Sequence, residues 1–237
     1  MRLDHNIDVD LFREQGFVIL PDILDDDELA TLCDACDALL SEPPDDDNGG
    51  KGHNIGRGHS RRFFRHRHMD FDGLRDFVLG AEMKHLVSNF LPDGVILFNE
   101  QFVVKAANTG ASFGWHQDGG YIPFDHDPYV TVWIALDDTT VENGAVFLLP
   151  RSPDDTATPV KHWWNEDGKE YVGYDGPDPG IPAEVSAGSI VIFSSLTLHR
   201  SSPNVTDRQR RGYVVQYAGA PIIDPSSGEV RGMATSL

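Results

Sequence analysis

The sequence predicts an α+β chain whose body is a β-sandwich or barrel. Three observations carry that reading. Helical periodicity is confined to the N-terminal part of the chain. From about Val95 onward the pattern changes to short segments rich in Val, Ile, Phe, Tyr and Thr, separated by turn residues. The 237 residues, 40% of them hydrophobic, contain no internal repeat and no linker long enough to divide two domains, so they suit one domain with a sizeable core. Helical support and an arginine-rich loop take up roughly residues 1–94, and the strand-rich core roughly 95–222.

In chain order, "DVDLFREQGFVILPDIL" opens with a short amphipathic helix. A strand over Phe17 to Leu20 follows, and Pro21 stops it. "LDDDELATLCDACDALL" reads as a helix with capping oxygens on Asp25 to Asp27 and apolar residues at helical spacing. "SEPPDDDNGGKG" is a loop on composition. "GLRDFVLGAEMKHLVSNFL" is a second helical region, broken or bent near Gly80. The strand candidates are then "VILFNEQFVVKAA", "YVTVWIALDD", "GAVFLLP", "GSIVIFSSLTLH" and "RRGYVVQYAGA".

Composition excludes several roles. A formal charge of −19 repels nucleic acid and anionic membrane surfaces. No stretch approaches the ~20 apolar residues of a membrane helix. The start lacks a basic region followed by an apolar run, so no secretory signal is expected and the chain is placed in the cytoplasm. Cys33 and Cys36 lie three apart in a helical pattern, too close to staple a fold, and read as two small residues of one helix. Only five of the 19 basic residues are lysine, and such an acidic, lysine-poor surface would suit a high-salt cytoplasm. A monomer or homodimer acting on a small molecule is expected.

The chemistry-bearing stretch is "GWHQDGGY". On a strand, side chains alternate faces, so His116 and Asp118 point the same way and Gln117 the other. An imidazole beside a carboxylate can hold a metal or form an acid–base pair, and the motif alone does not choose. The second half of the signal comes 81 residues after Asp118, where the apolar "GSIVIFSSLTLH" ends in His199. Two histidines and one carboxylate on one face of an octahedron make the facial triad of non-haem Fe(II) oxygenases, which leaves open positions for a bidentate cosubstrate and dioxygen. Arg210, 11 residues after His199, opens the next strand. Its always-charged, two-pronged guanidinium suits the distal carboxylate of a dicarboxylic cosubstrate. The Ser201 hydroxyl can add a hydrogen bond. Arg211 should face away from Arg210, and Arg208 belongs to the preceding loop.

With "WHQDGGY", "VTVWIALDDTTVENGAVFLLPRSP" and "LHRSSPNVTDRQRRGY" together, the chain resembles the phytanoyl-CoA dioxygenase family of Fe(II)- and 2-oxoglutarate-dependent oxygenases. The resemblance runs from "FREQGFVILPDIL" to "VVQYAGA" and is most specific from Gln101 to Tyr213. It implies a double-stranded β-helix, a cupin-like jelly-roll of two sheets with N-terminal helices outside. It implies His116, Asp118 and His199 as iron ligands, Arg210 as the residue that binds the far carboxylate of 2-oxoglutarate, and Ser201 as its helper. Gln101, Phe113 and Trp133 fall near positions that contact the cosubstrate in relatives. "LLPRSP" departs from the family's usual Leu-Pro-Gly-Ser-His, which bears on substrate class. Halogenating relatives replace the carboxylate with a small residue, so Asp118 argues against halogenation.

The stretch "RGHSRRFFRHRH" holds five arginines and no acid. One reading is a loop that closes over the site and draws in an anionic substrate through Arg61, Arg62 and Arg65. The other is a set of arginines paired with the acidic body. Tyr121 and Phe124 are expected to wall the substrate pocket. Two rival functions remain at this level: a cupin-type metal-dependent hydrolase or isomerase, which gives Arg210 no task, and a non-catalytic binding protein on the same fold.

Overall fold

Alternation along three neighbouring strands organises the molecule. The computed structural model describes residues 1–3, 7–42, 52–55, 61–109, 112–152, 154 and 159–237. Strand β4 (Ile96–Lys105), β6 (Val130–Ala135) and β13 (Arg210–Ala218) lie side by side, β13 between the other two. Phe102, Val104, Val132, Ile134, Tyr213, Val215 and Tyr217 turn to one face and pack on helices. Gln101, Val103, Thr131, Trp133, Val214 and Gln216 turn to the other face and line a cavity.

The remaining strands of this large sheet are β1 (Phe17–Leu20), β2 (Gly52–Ile55), β3 (Arg61–Arg65) and β11 (Ile190–Ser194), in the order β1-β11-β6-β13-β4-β3-β2; β14 (Thr235–Ser236) also pairs with β4. Every pairing is antiparallel. Strands β6 and β11 are buried at every position, because both faces are covered, and "VTVWIA" and "IVIFS" accordingly read as almost unbroken apolar runs.

The helical layer consists of α1 (Val9–Gln15), α2 (Asp26–Ser41), α3 (Asp72–Leu79) and α4 (Ala81–Ser88). Helix α2 starts with a capping box: Asp25 accepts from the Glu28 amide, and the Glu28 carboxylate accepts from the Asp25 amide. A cap of this kind is worth about 1 kcal/mol. Leu32, Ala35, Cys36 and Leu39 form its buried stripe. The bend expected at Gly80 separates α3 from α4, where Gly80 leaves helical geometry with ψ 160.

Facing the cavity side is a smaller sheet of β5 (Phe113–His116), β7 (Val146–Leu148), β10 (Ile181–Pro182) and β12 (His199–Ser201), ordered β10-β7-β12-β5. Val146 and Leu148 from it pack with Phe17, Trp133, Val191 and Phe193 from the large sheet. This is the two-sheet jelly-roll arrangement that the resemblance implies. A separate hairpin, β8 (Trp163–Asn165) with β9 (Glu170–Val172), stands beside β5.

Two expectations are corrected. "GSIVIFSSLTLH" is not one strand ending at His199. Strand β11 stops at Ser194, a turn follows, and His199 opens β12 in the other sheet. The turn is built by serine and threonine: the Thr197 amide donates to the Ser194 carbonyl, and the Leu196 amide donates to the Ser194 hydroxyl. The second correction concerns the arginine-rich stretch. Arg61 to Arg65 form β3, paired residue for residue with β4 from Arg61 opposite Lys105 to Arg65 opposite Gln101. A strand bonded into the main sheet is not a closing loop. Arg57 and His59 lie outside the described residues.

Candidate active site

The two histidines meet because the register of the small sheet sets His199 directly opposite His116. Their rings lie 4.2 Å apart between centroids. Each imidazole is oriented by its own strand: His116 Nδ1 donates to the Gly114 carbonyl at 2.8 Å, and His199 Nδ1 to the Thr197 carbonyl at 3.0 Å. A carbonyl only accepts, so both protons sit on Nδ1 and both Nε2 atoms present bare lone pairs. Burial first, and the neighbouring His199 second, push the His116 pKa down, which keeps the ring neutral.

Asp118 begins the one-turn 3-10 helix Asp118–Tyr121, just past the end of β5. Its Oδ1 stands 3.8 Å from His116 Nε2 and 3.6 Å from His199 Nε2. Its Oδ2 is held from behind, accepting from Thr131 Oγ1 at 2.7 Å and Gln216 Nε2 at 2.9 Å. Gln117 points the other way into the protein. Its amide donates to the Leu196 carbonyl at 2.5 Å and accepts from the Val160 amide at 2.6 Å.

Among the described residues, these three form the one group of three or more potential ligands, with all donor atoms within 4.8 Å of one another. The set fits a divalent transition metal. Two neutral imidazole nitrogens and one free carboxylate oxygen converge, while every other polar atom of the three side chains is already engaged. Two nitrogens and one oxygen on one side, with the cavity on the other, is the donor set suited to ferrous iron with open positions.

Arg210, the first residue of β13, is 1% exposed and lines the same cavity of about 110 Å³ as the triad. Its Nη2 donates to the Gly144 carbonyl at 3.0 Å, while Nε and Nη1 have no partner among the described residues. The Ser201 hydroxyl is likewise buried in this cavity, with no partner among the described residues. Buried donors left open in this way call for an acceptor from outside the chain. Burial lowers the Arg210 pKa to about 10, against the pull of Asp137, so the guanidinium stays charged at neutral pH. Gln101, Phe113 and Trp133 also line the cavity, and the guanidinium lies 5.5 Å from the Trp133 ring centre. Arg211 faces away and grips Asp137 and Asp37.

The proposed rim residues are placed unequally. Tyr121 is exposed, with its ring edge-on to His116 at 5.6 Å. Phe124 packs instead with Phe98, Ile122 and Tyr129. Arg61 is buried in an ion pair with Glu170 at 2.9 Å and also donates to the Ser112 carbonyl. Arg62 donates to the Leu40 carbonyl and lies over the Phe64 ring. Arg65 is exposed and donates to the cavity residue Gln101 at 3.0 Å, and Arg200 lines the cavity itself. The sequence reading missed Thr131 and Gln216, whose residue types carry no ligand signal. It also missed Tyr171 and Trp164, which continue the aromatic edge outward from Tyr121 at 5.4 and 5.1 Å.

The family model for phytanoyl-CoA dioxygenase (PhyH) matches residues 12–212. The chain belongs to the phytanoyl-CoA dioxygenase family. Within this PhyH family it is 28% identical over 159 residues to a probable alpha-ketoglutarate-dependent hypophosphite dioxygenase from Stutzerimonas stutzeri, covering 65% of this chain and 55% of that protein. It is 26% identical over 158 residues to a 2-aminoethylphosphonate dioxygenase from an uncultured bacterium, covering 61% and 54%. The chain thus spans about half the length of these curated relatives. Among solved structures, EvdO2 from Micromonospora carbonacea var. aurantiaca complexed with 2-oxoglutarate superimposes with a TM-score of 0.75 at 26% identity, over 95% of this chain and 97% of that one. The PhyH fold, a double-stranded β-helix, therefore covers nearly the whole chain. No helix among the described residues is long and apolar enough to cross a membrane.

Proposed function

We propose that this PhyH-family chain is an Fe(II)- and 2-oxoglutarate-dependent dioxygenase that oxidises, and most simply hydroxylates, a C–H bond of a small organic substrate. One observation carries the proposal: the buried Arg210 guanidinium and Ser201 hydroxyl hold open donors in the same cavity as the three convergent ligand atoms. A metal-binding hydrolase has no use for that second feature. His116, Asp118 and His199 would hold the iron. When bound, iron and 2-oxoglutarate supply oxidising power from dioxygen, with succinate and carbon dioxide as co-products.

The chain's own residues set the conditions for that chemistry. The Gly114 and Thr197 carbonyls hold the proton of each neutral ring on Nδ1, so the Nε2 lone pairs face the metal position. Arg210, fixed by the Gly144 carbonyl, offers two remaining donors to a carboxylate and so orients the cosubstrate. Trp133, Phe193 and Val214 wall the cavity with apolar surface and keep water out. For substrate, we favour a small molecule that enters past Tyr121 and Arg65. The names of two relatives point to phosphorus oxyanions, and the exposed Arg65, beside the cavity residue Gln101, and Arg200, which lines the cavity, are arginines that can meet an anion there. A cytoplasmic site of action suits the free thiols of Cys33 and Cys36.

Spectroscopy without oxygen tests the reading. Fe(II) with 2-oxoglutarate should give a visible charge-transfer band, and His116→Ala, Asp118→Ala or His199→Ala should each abolish it while leaving the chain folded. Full iron occupancy and the same band in any of these variants would overturn the triad.

A further inference from the structure

Behind Asp118 runs a hydrogen-bonded chain that crosses the large sheet. Gln216 Nε2 meets Asp118 Oδ2 at 2.9 Å, Asn99 Nδ2 meets Gln216 Oε1 at 2.9 Å, and His66 Nε2 faces Asn99 Oδ1 at 3.2 Å. Gln216 lies on β13, and Asn99 lies directly opposite it on β4. His66 follows β3, in left-handed geometry with φ 57, its amide tied to the Glu100 carbonyl at 3.0 Å. The side chains thus come from two adjacent strands and from the residue just past the next strand, and the chain ends on a ligand.

The polarity of this chain is fixed from one end. A metal-binding carboxylate is ionised and can only accept, so Gln216 must turn its amino group to Asp118. Its carbonyl oxygen then faces Asn99, which must answer with its own amino group. The Asn99 carbonyl is left for His66, whose Nε2 must carry a hydrogen. Every donor points towards Asp118. Together with Thr131 Oγ1 at 2.7 Å, the chain saturates one carboxylate oxygen and leaves the other, Oδ1, for the metal.

We propose that Gln216, oriented by Asn99 and His66, is a positioning residue that holds the Asp118 carboxylate to one-oxygen ligation. A carboxylate free to rotate could close on the ion with both oxygens and fill a position that the cosubstrate or dioxygen needs. The cap on Oδ2 prevents that rotation. The proposal rests on the metal reading of the triad, and it gives the stretch "RHRH" a task that its positive charge does not suggest.

The test is Co(II) binding to the whole chain, followed by calorimetry and by the visible spectrum of the bound ion. Gln216→Met keeps the length of the side chain and removes both hydrogen bonds. It should weaken Co(II) affinity by about 10- to 100-fold, the usual effect of losing a partner that orients a ligand. Its Co(II) spectrum should also change, because the carboxylate ligates differently. Asn99→Ala and His66→Ala should each lower affinity by less, and Asn99→Ala should add nothing to Gln216→Met, because the two act through one contact. His66→Gln, which restores a donor, should recover most of what His66→Ala loses. Wild-type affinity and spectrum in Gln216→Met, with the fold intact by circular dichroism, overturn the proposal. Full additivity of Asn99→Ala with Gln216→Met overturns the relay. If the unaltered chain fails to bind Co(II), the triad reading itself falls, which keeps the two failures distinct.

Discussion

Lys105 sits on β4 opposite both Arg61 and Arg210, so three basic side chains form one buried row across the sheet. Its Nζ donates to the Ser202 carbonyl and lies 5.4 Å from the Phe113 ring centre. Burial, and then the charges of Arg210 and Arg61, lower its pKa to about 6, with Glu170 opposing. The folded protein therefore sheds a proton that the unfolded chain keeps up to its ordinary value of 10.5. Stability should rise with pH between those two values, since the unfolded state binds more protons throughout that window. Replacing Lys105 with Met should stabilise the fold at pH 6.5 and matter progressively less towards pH 9, as read by urea denaturation at both. A gap that widens with pH would reverse the sign.

Arg210→Lys keeps the charge and loses the flat two-point grip. The 2-oxoglutarate requirement should rise tenfold or more, equivalent to about 1.4 kcal/mol, with metal affinity unchanged. Gly212 predicts a subtler effect at the same site. A Cβ there would lie 3.0 Å from Arg210 Nη1 and 3.1 Å from Trp133 Nε1, so the missing side chain gives the guanidinium its room. Gly212→Ala should imitate Arg210→Lys in milder form when 2-oxoglutarate affinity is measured. Of these residues, Arg210 was legible because its charge, spacing and strand position all pointed inward. Lys105 and Gly212 were not, because their roles depend on cross-strand neighbours that sequence distance hides.

Among the elements, the β8–β9 hairpin matters most to the rim and was the least legible. "WWNEDGKEYV" alternates poorly, and its tryptophans and Tyr171 are exposed rather than buried, so it carries no core pattern. Backbone bonds at Gly173 and Tyr174 tie its end to Trp115, and one buried ion pair anchors its middle. Glu170 accepts from Arg61 at 2.9 Å and from the Gly114 amide at 3.1 Å, two residues before His116. Arg61 thus follows the acid-paired reading of the arginine stretch and not the substrate-drawing one. Glu170→Gln would leave that guanidinium buried and unpaired, at a cost of about 3 kcal/mol. Hydrogen exchange should speed up first across residues 163–172. Unchanged protection there would show that the pair does not anchor the hairpin. The strands β4, β6 and β13 were legible from composition and alternation. The break between β11 and β12 was not, because "SSLTL" stays apolar enough to hide a turn made by hydroxyls.

For the molecule as a whole, −19 charges over one fold imply self-repulsion that salt relieves. The melting temperature should climb as KCl is raised from low to molar concentration, and a flat or falling trend would remove the high-salt reading.

The pairing of His199 with His116 has a further consequence at this scale. The strands that carry them are three and four residues long, and a short strand pair has few contacts to tell one register from the next. A slip by one residue would send the two imidazoles to opposite faces of the sheet. An ion that needs both rings would reward only the correct alignment, and so would act as a proofreader of the sheet. Refolding from urea with Co(II) present should then return a larger native fraction than refolding without it. The excess should vanish in His199→Ala, where there is nothing left to check.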